Sequence, residues 1–171
     1  AQLSEQALHD PLTGLFNRRY LIEFFQREQA RALRERTSLA LAMIDLDHFK
    51  QLNDNHGHLV GDEVLQAVAQ HLQDNLRSTD AVFRIGGEEF LLILPDVELD
   101  EAVSRVDCLR EQPAASDLPT RAGAMNVTLS AGVALWPSHG HALEELMQAA
   151  DRALYQAKRD GRDRVQVSQG S

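Results

Sequence analysis

Apolar positions along the chain change their period several times, and each change marks an element. From a cap at Asn17, the residues Tyr20, Leu21, Phe24, Phe25 and Leu33 recur at helical spacing to about Arg36 and predict one core-facing helix. Ser38 to Asp45 is apolar at nearly every position and free of Gly and Pro, which predicts a central strand buried on both faces. Val64, Leu65, Val68, Leu72 and Leu76 place a second helix over Val60 to Arg77. Two short apolar runs, Ala81 to Ile85 and Phe90 to Leu94, flank Gly86-Gly87, and a glycine pair can supply the positive φ angles of a tight hairpin turn. A helix over Leu99 to Glu111 follows, then a loop rich in Pro, Ala and Gly. Alternation at Val127, Leu129, Ala131, Val133 and Leu135 predicts a further strand. The last helix spans about Ala142 to Asp160, stops at Gly161, and leads to a short strand near Arg164 to Val167. This order predicts an α+β domain with a mostly antiparallel central sheet flanked by helices.

At 171 residues the chain fits one domain with one core. No apolar run reaches the roughly 20 residues that cross a bilayer, so no membrane contact by this domain is expected. The net charge of -9 runs against a DNA or RNA partner, whose binding surface would carry excess Lys and Arg. One cysteine, Cys108, cannot close an internal disulfide and suits a reducing, cytoplasmic setting, where it reads as a small core or surface thiol. Ala1 stands first and no signal segment follows, which reads as a piece of a longer protein. Residues 1–9 read as the end of an upstream connecting helix, 10–168 as the domain, and 169–171 as a tail.

Two acidic clusters carry the candidate chemistry: Asp45-Leu46-Asp47 at the end of the first strand and Glu88-Glu89 beside the hairpin turn. On neighbouring strands these carboxylates converge, and like charges so placed repel unless a cation lies between them. Mg²⁺ takes one or two carboxylates together with substrate phosphates, so a nucleoside triphosphate with magnesium is the natural occupant. Acids at strand ends and turns are more often simply solvated, and alone the clusters favour that reading.

The string Gly86-Gly87-Glu88-Glu89-Phe90 alters the balance, because average residue frequencies make it a chance event in on the order of one in ten thousand chains of this length. It resembles the signature of the GGDEF family of diguanylate cyclases in its GGEEF form. Three more stretches agree in order and spacing with that family: Asp10-Pro11-Leu12-Thr13-Gly14-Leu15-Phe16-Asn17-Arg18-Arg19; Asp45 to Lys50 with Asn53, Gly57-His58 and Gly61-Asp62-Glu63; and Asp151, Ala153, Leu154, Tyr155, Ala157, Lys158, Gly161 and Arg162. The likeness runs from Asp10 to Val167 and implies a nucleotidyl cyclase-like fold.

The resemblance implies that two GTP molecules are joined into cyclic di-GMP with release of pyrophosphate. Asp45, the Leu46 carbonyl and Glu88 would hold Mg²⁺, with Mn²⁺ as an alternative. Glu88 and Glu89 are the catalytic candidates, Glu89 as base or second metal ligand. Asn53 and Asp62 would read guanine, His58 would touch the nucleotide, and Lys50, Lys158 and Arg162 would bind phosphates. Gly86 and Gly87 would admit phosphates close to the backbone. Asp163 departs from the Asn the family often has there, and puts a negative charge near the phosphates. Arg77-Ser78-Thr79-Asp80 resembles the family's RxxD inhibitory motif, where Arg77 and Asp80 would bind product. Because the product joins two bound GTP molecules, turnover implies a homodimer of facing domains, governed by an upstream sensor or coiled coil. The rival readings are a receptor that binds cyclic di-GMP or GTP without turnover, and another nucleotidyl cyclase or polymerase-like enzyme.

Overall fold

The computed structural model describes residues 8–111 and 118–169. The elements are β1 (Phe16–Asn17), α1 (Arg18–Glu35), β2 (Leu39–Leu46), α2 (Phe49–His56), α3 (His58–Asp74), β3 (Ala81–Arg84), β4 (Glu89–Pro95), α4 (Leu99–Glu111), β5 (Leu118–Thr120), β6 (Gly123–Met125), β7 (Leu129–Trp136), α5 (Leu143–Arg159) and β8 (Val165–Val167). Six strands form one sheet in the order β1-β3-β4-β2-β7-β8, and β5-β6 make a separate hairpin. The inner pairings are antiparallel, while β1 joins β3 and β8 joins β7 in parallel. The domain is thus α+β with a mostly antiparallel sheet, as the pattern of elements predicts.

β2 is central, and all eight of its residues are buried. Its alternation splits the core in two. Ala40, Ala42, Ile44 and Leu46 face a cluster built with Phe49 of α2, Val64, Leu65 and Val68 of α3, and Ala102 and Val106 of α4. Leu39, Leu41 and Met43 face the other cluster, with Leu21, Phe24 and Phe25 of α1 and Leu146, Ala150 and Leu154 of α5. Alternation therefore sets Asp45 on the α1 and α5 side, at the strand's end. α5 lies very close to β7: a Cβ on Gly132 would sit 2.1 Å from the Ala150 carbonyl and 2.3 Å from the Leu154 amide. Glycine at that position sets the depth at which α5 docks.

Several expectations need correction. α2 and the strand β1 were not foreseen, and the loop after α4 contains the β5-β6 hairpin. α2 is only eight residues long with one buried apolar residue, Phe49, too short for a helical period to register. Leu33, placed on the core face by spacing, is 66% exposed, because the buried stripe of α1 runs through Leu21, Phe24, Phe25, Glu28 and Ala32 and Leu33 lies one residue off it. Cys108 is exposed. Gly86 and Gly87 do not adopt positive φ. A Cβ on Gly86 would instead come within 2.7 Å of Glu89 Oε1, so glycine there clears space for that carboxylate. The Asn17 cap is as expected, its side chain accepting from the Tyr20 amide at 3.3 Å.

Candidate functional site

The antiparallel register of β2 and β4 brings the two acidic clusters together. Asp45 lies directly opposite Glu89, and the Leu46 amide donates to the Glu88 carbonyl at 3.3 Å. From the opposite side α5 delivers Lys158, whose ammonium contacts Asp45 Oδ2. The other Asp45 oxygen, Oδ1, is buried and has no protein partner. A cleft of about 240 Å³ opens here, lined by Asp45, Leu46, Lys50, Glu88, Lys158 and Arg162 among others. Glu89 faces a neighbouring depression of about 190 Å³ with Arg18 and Asp151. The two glutamates are therefore adjacent in sequence but line different spaces.

The charge crowding leaves its mark on both glutamates. Burial, then the Asp45 charge and a hydrogen bond shared with Asp45, raise Glu88 above the ordinary glutamate value, while Lys158 opposes the rise. Burial, then Asp45 and Asp151, raise Glu89, with Lys158 and Arg18 opposing. A divalent cation answers both this repulsion and the unpartnered Asp45 oxygen. Among the described residues no group of three or more His, Cys, Asp or Glu side chains is gathered for a metal. The fitting set is two carboxylates and a main-chain oxygen, which matches an ion that takes its remaining ligands from phosphates and water.

The other sequence candidates distribute around this cleft. Lys50 lies in the first turn of α2 and Arg162 follows α5, and both line it. Asn53 sits on α2 against α3, so closely that a Cβ on Gly61 would fall 1.8 Å from Asn53 Oδ1, which is buried and unpartnered. Asp62, half-buried, and His58, exposed, lie on α3 outside the cleft lining. Gly87 is exposed, with open space where a Cβ would stand. Asp163 has φ 47°, in the left-handed region that Asn and Asp tolerate best, and its carboxylate pairs with Arg110 Nη1 at 2.8 Å. That partner offsets the charge which the departure from Asn introduces.

At the motif near Arg77, the side chains do not pair with each other. The Arg77 amide donates to Asp80 Oδ2 at 2.8 Å, while its exposed guanidinium lies 3.8 Å from Glu101. Asp80 has a fully buried carboxylate that contacts Arg105 of α4, and both Asp80 Oδ1 and Arg105 Nη1 are buried without partners. Arg105 escaped the sequence reading because it lies 25 residues beyond Asp80, on another element.

Arg84 was likewise missed. Its guanidinium donates to Gly87 O at 2.8 Å through Nη2 and to Asp10 at 3.1 and 3.2 Å through Nη1. Asp10 also accepts from the Thr13 amide and hydroxyl at 2.9 and 2.7 Å. Burial works against ionisation of Asp10, but the Thr13 donors and the Arg84 guanidinium outweigh it and hold its carboxyl below the usual value. The Asp10-to-Gly14 turn is thereby tied to the hairpin that carries Glu88. An arginine just ahead of a double glycine was the available signal.

Comparison with known proteins gives the same answer from an independent direction. Residues 7–164 match the sequence profile of the family described as diguanylate cyclase, GGDEF domain. The chain is 43% identical over 164 residues to diguanylate cyclase DgcP of Pseudomonas aeruginosa, covering 96% of this chain and 24% of that protein. It is 42% identical over 163 residues to diguanylate cyclase DosC of Escherichia coli, covering 95% of this chain and 35% of that protein. The chain thus spans between a quarter and about a third of these relatives' length. Among solved structures, the GGDEF domain of DgcB from Caulobacter crescentus in complex with c-di-GMP superposes with a TM-score of 0.89 at 32% identity, covering 99% of this chain and 98% of that one. By profile, relatives and fold together, the chain belongs to the GGDEF-domain diguanylate cyclase family.

Proposed function

We propose that this domain condenses two GTP molecules into cyclic di-GMP and two pyrophosphates, in a magnesium-dependent reaction between two facing copies. The observation that carries the reading is the Asp45 and Glu88 carboxylate pair at the mouth of a cleft, held with one buried oxygen unpartnered and one cation, Lys158, in contact. Asp45, the Leu46 carbonyl and Glu88 would hold the ion. When bound, it supplies Lewis-acid polarisation of the phosphates and offsets charge that builds up during displacement.

The remaining work belongs to the chain. Lys158 exchanges Asp45 for the incoming phosphates, and with Lys50 and Arg162 neutralises and orients the triphosphate. Asn53 and Asp62 recognise guanine, the carboxylate accepting from N1–H and N2–H, which adenine does not offer in that arrangement, and His58 flanks the base. The exposed backbone at Gly87, with Gly86 behind it, admits phosphate oxygens closely. The 3′-hydroxyl of one GTP attacks the α-phosphate of the other. The O3′–P bond forms, the bond to the β-phosphate bridging oxygen breaks, pyrophosphate leaves, and the hydroxyl proton passes to a base. Glu89 faces the depression beside the cleft and would serve as that base or as a second metal ligand. Repetition in the opposite sense closes the ring, which is why two domains must face each other. The part upstream of residue 10, as sensor or coiled coil, would control that encounter. Manganese fits the same oxygen ligands as magnesium.

Product feedback belongs to the same reading. The exposed Arg77 guanidinium presents a fork to the O6 and N7 edge of guanine, and Asp80, braced by Arg105, forms the floor. The related DgcB domain is described in complex with c-di-GMP, which supports a product site in this family.

Three outcomes are expected. The domain fused to a dimerising coiled coil converts GTP with Mg²⁺ into cyclic di-GMP, and Asp45→Asn lowers turnover by about a hundredfold or more. GTP binding without any product from the dimerised domain would leave only a receptor. Arg77→Ala keeps initial turnover and loses inhibition by added cyclic di-GMP; equal inhibition of variant and parent would remove the feedback site. In the metal-free domain, ¹³C-detected titration finds the Glu88 carboxyl above the ordinary glutamate range. Because its folded value is raised, stability is fully present below the unfolded pKa and falls as pH rises through the folded one. Lys158→Met removes an opposing charge and moves Glu88 higher, whereas an unchanged Glu88 would refute this account of the charge balance.

A further inference from the structure

Asp47 has no part in the reaction above, although it is buried at the edge of the cleft. Its Oδ1 accepts from Ser130 Oγ at 2.7 Å, and its Oδ2 accepts from Thr128 Oγ1 at 2.6 Å and from the Asp163 amide at 3.0 Å. With three donors satisfied, this carboxylate would have to break good hydrogen bonds to take a metal. The third donor shows what the carboxylate holds instead.

Gly161, Arg162 and Asp163 follow one another with φ of 125°, 63° and 47°. Successive left-handed residues that are not glycine are uncommon and persist only where the surroundings hold them. The Arg162 amide donates to Ala157 O at 2.9 Å, and its carbonyl accepts from Arg164 Nε at 3.0 Å. The Asp163 side chain meets Arg110 of α4. These bonds tie the turn to α5, to its own next residues and to α4. The Asp163 amide also donates to Ser130 Oγ of β7 at 3.1 Å, and that hydroxyl in turn donates to Asp47, so Asp47 holds the turn both directly and through Ser130 and ties it to the end of the strand that carries Asp45.

We propose that Asp47 is a positioning residue for the triphosphate: it grips the Asp163 amide and so fixes the left-handed turn that presents Arg162 to the cleft. Asp47 touches neither nucleotide nor ion and acts through Arg162. The proposal rests on Arg162 being a phosphate ligand, and the test separates the two.

The experiment compares binding of GTP with Mg²⁺ and of guanosine, by NMR titration, for this domain and its Asp47→Ala, Asp47→Asn, Arg162→Ala and Asp47→Ala/Arg162→Ala variants. Asp47→Ala is expected to weaken GTP about tenfold and leave guanosine unchanged, since only phosphate contacts are disturbed. Asp47→Asn, which keeps one acceptor oxygen, recovers most of the loss. The double variant is no weaker than Arg162→Ala alone. Multiplying effects of the two single changes, or equal weakening of guanosine, would overturn the role of Asp47 while leaving Arg162 a phosphate ligand. An Arg162→Ala variant with parental GTP affinity would overturn both. If Asp47→Ala does not fold, amide exchange in a Ser130→Ala variant decides, since Asp47 is then the remaining acceptor: the Asp163 amide is expected to stay protected at least about tenfold, and free exchange there would end the proposal.

Discussion

Carboxylates held close together without enough positive charge are the constraint on which the rest of this structure depends. The register of β2 against β4 fixes Asp45 opposite Glu89, with Glu88 beside them, and no local adjustment can separate them without slipping the sheet. Lys158 supplies one neutralising contact and leaves the Asp45 Oδ1 atom buried and unpartnered. Glu88 and Glu89 respond with raised pKa values. A fold that keeps such an arrangement is poised to gain free energy from a divalent cation and the anion it brings.

The supporting structure acts to hold that arrangement in place. Gly132 lets α5 dock deeply enough to bring Lys158 to Asp45. Arg84 braces the hairpin from Asp10 at the start of the domain, and Asp47 braces the turn after α5 from the end of β2. These braces converge from separate elements on loops that carry the reacting groups. Loops are the mobile part of most folds, and the interactions found here restrict them where phosphates would bind.

The long elements and their order along the chain were largely legible because buried strands leave continuous apolar runs and the long helices a clear period. β2 from Leu39 to Leu46 and the two-sided core follow from that pattern, as do α3 and α5. α2 was not legible, since eight residues with one buried apolar side chain give no period to read. Leu33 misled because the buried stripe passes through Glu28 and Ala32, a charged and a small residue that hydrophobicity does not mark, while Leu33 sits beside it. At the Gly86-Gly87 pair the expected positive φ is absent, and what Gly86 gives is room beside the Glu89 carboxylate, which depends on a side-chain direction that sequence does not give. The convergence of Asp45 with Glu88 was foreseen from strand ends. The partners Arg105 and Arg110 were not, because tertiary ion pairs between distant segments have no local signature, and for Arg84 only its place ahead of the double glycine offered a clue.

The most direct test of the carboxylate pair is a measurement of divalent-ion affinity in the presence of GTP, by Mn²⁺ electron paramagnetic resonance, for the parent domain and for Asp45→Asn and Glu88→Gln. The account predicts tight ion binding by the parent, a loss of about tenfold or more in each variant, and guanosine binding retained in all three. Ion affinity unchanged in both variants would contradict it.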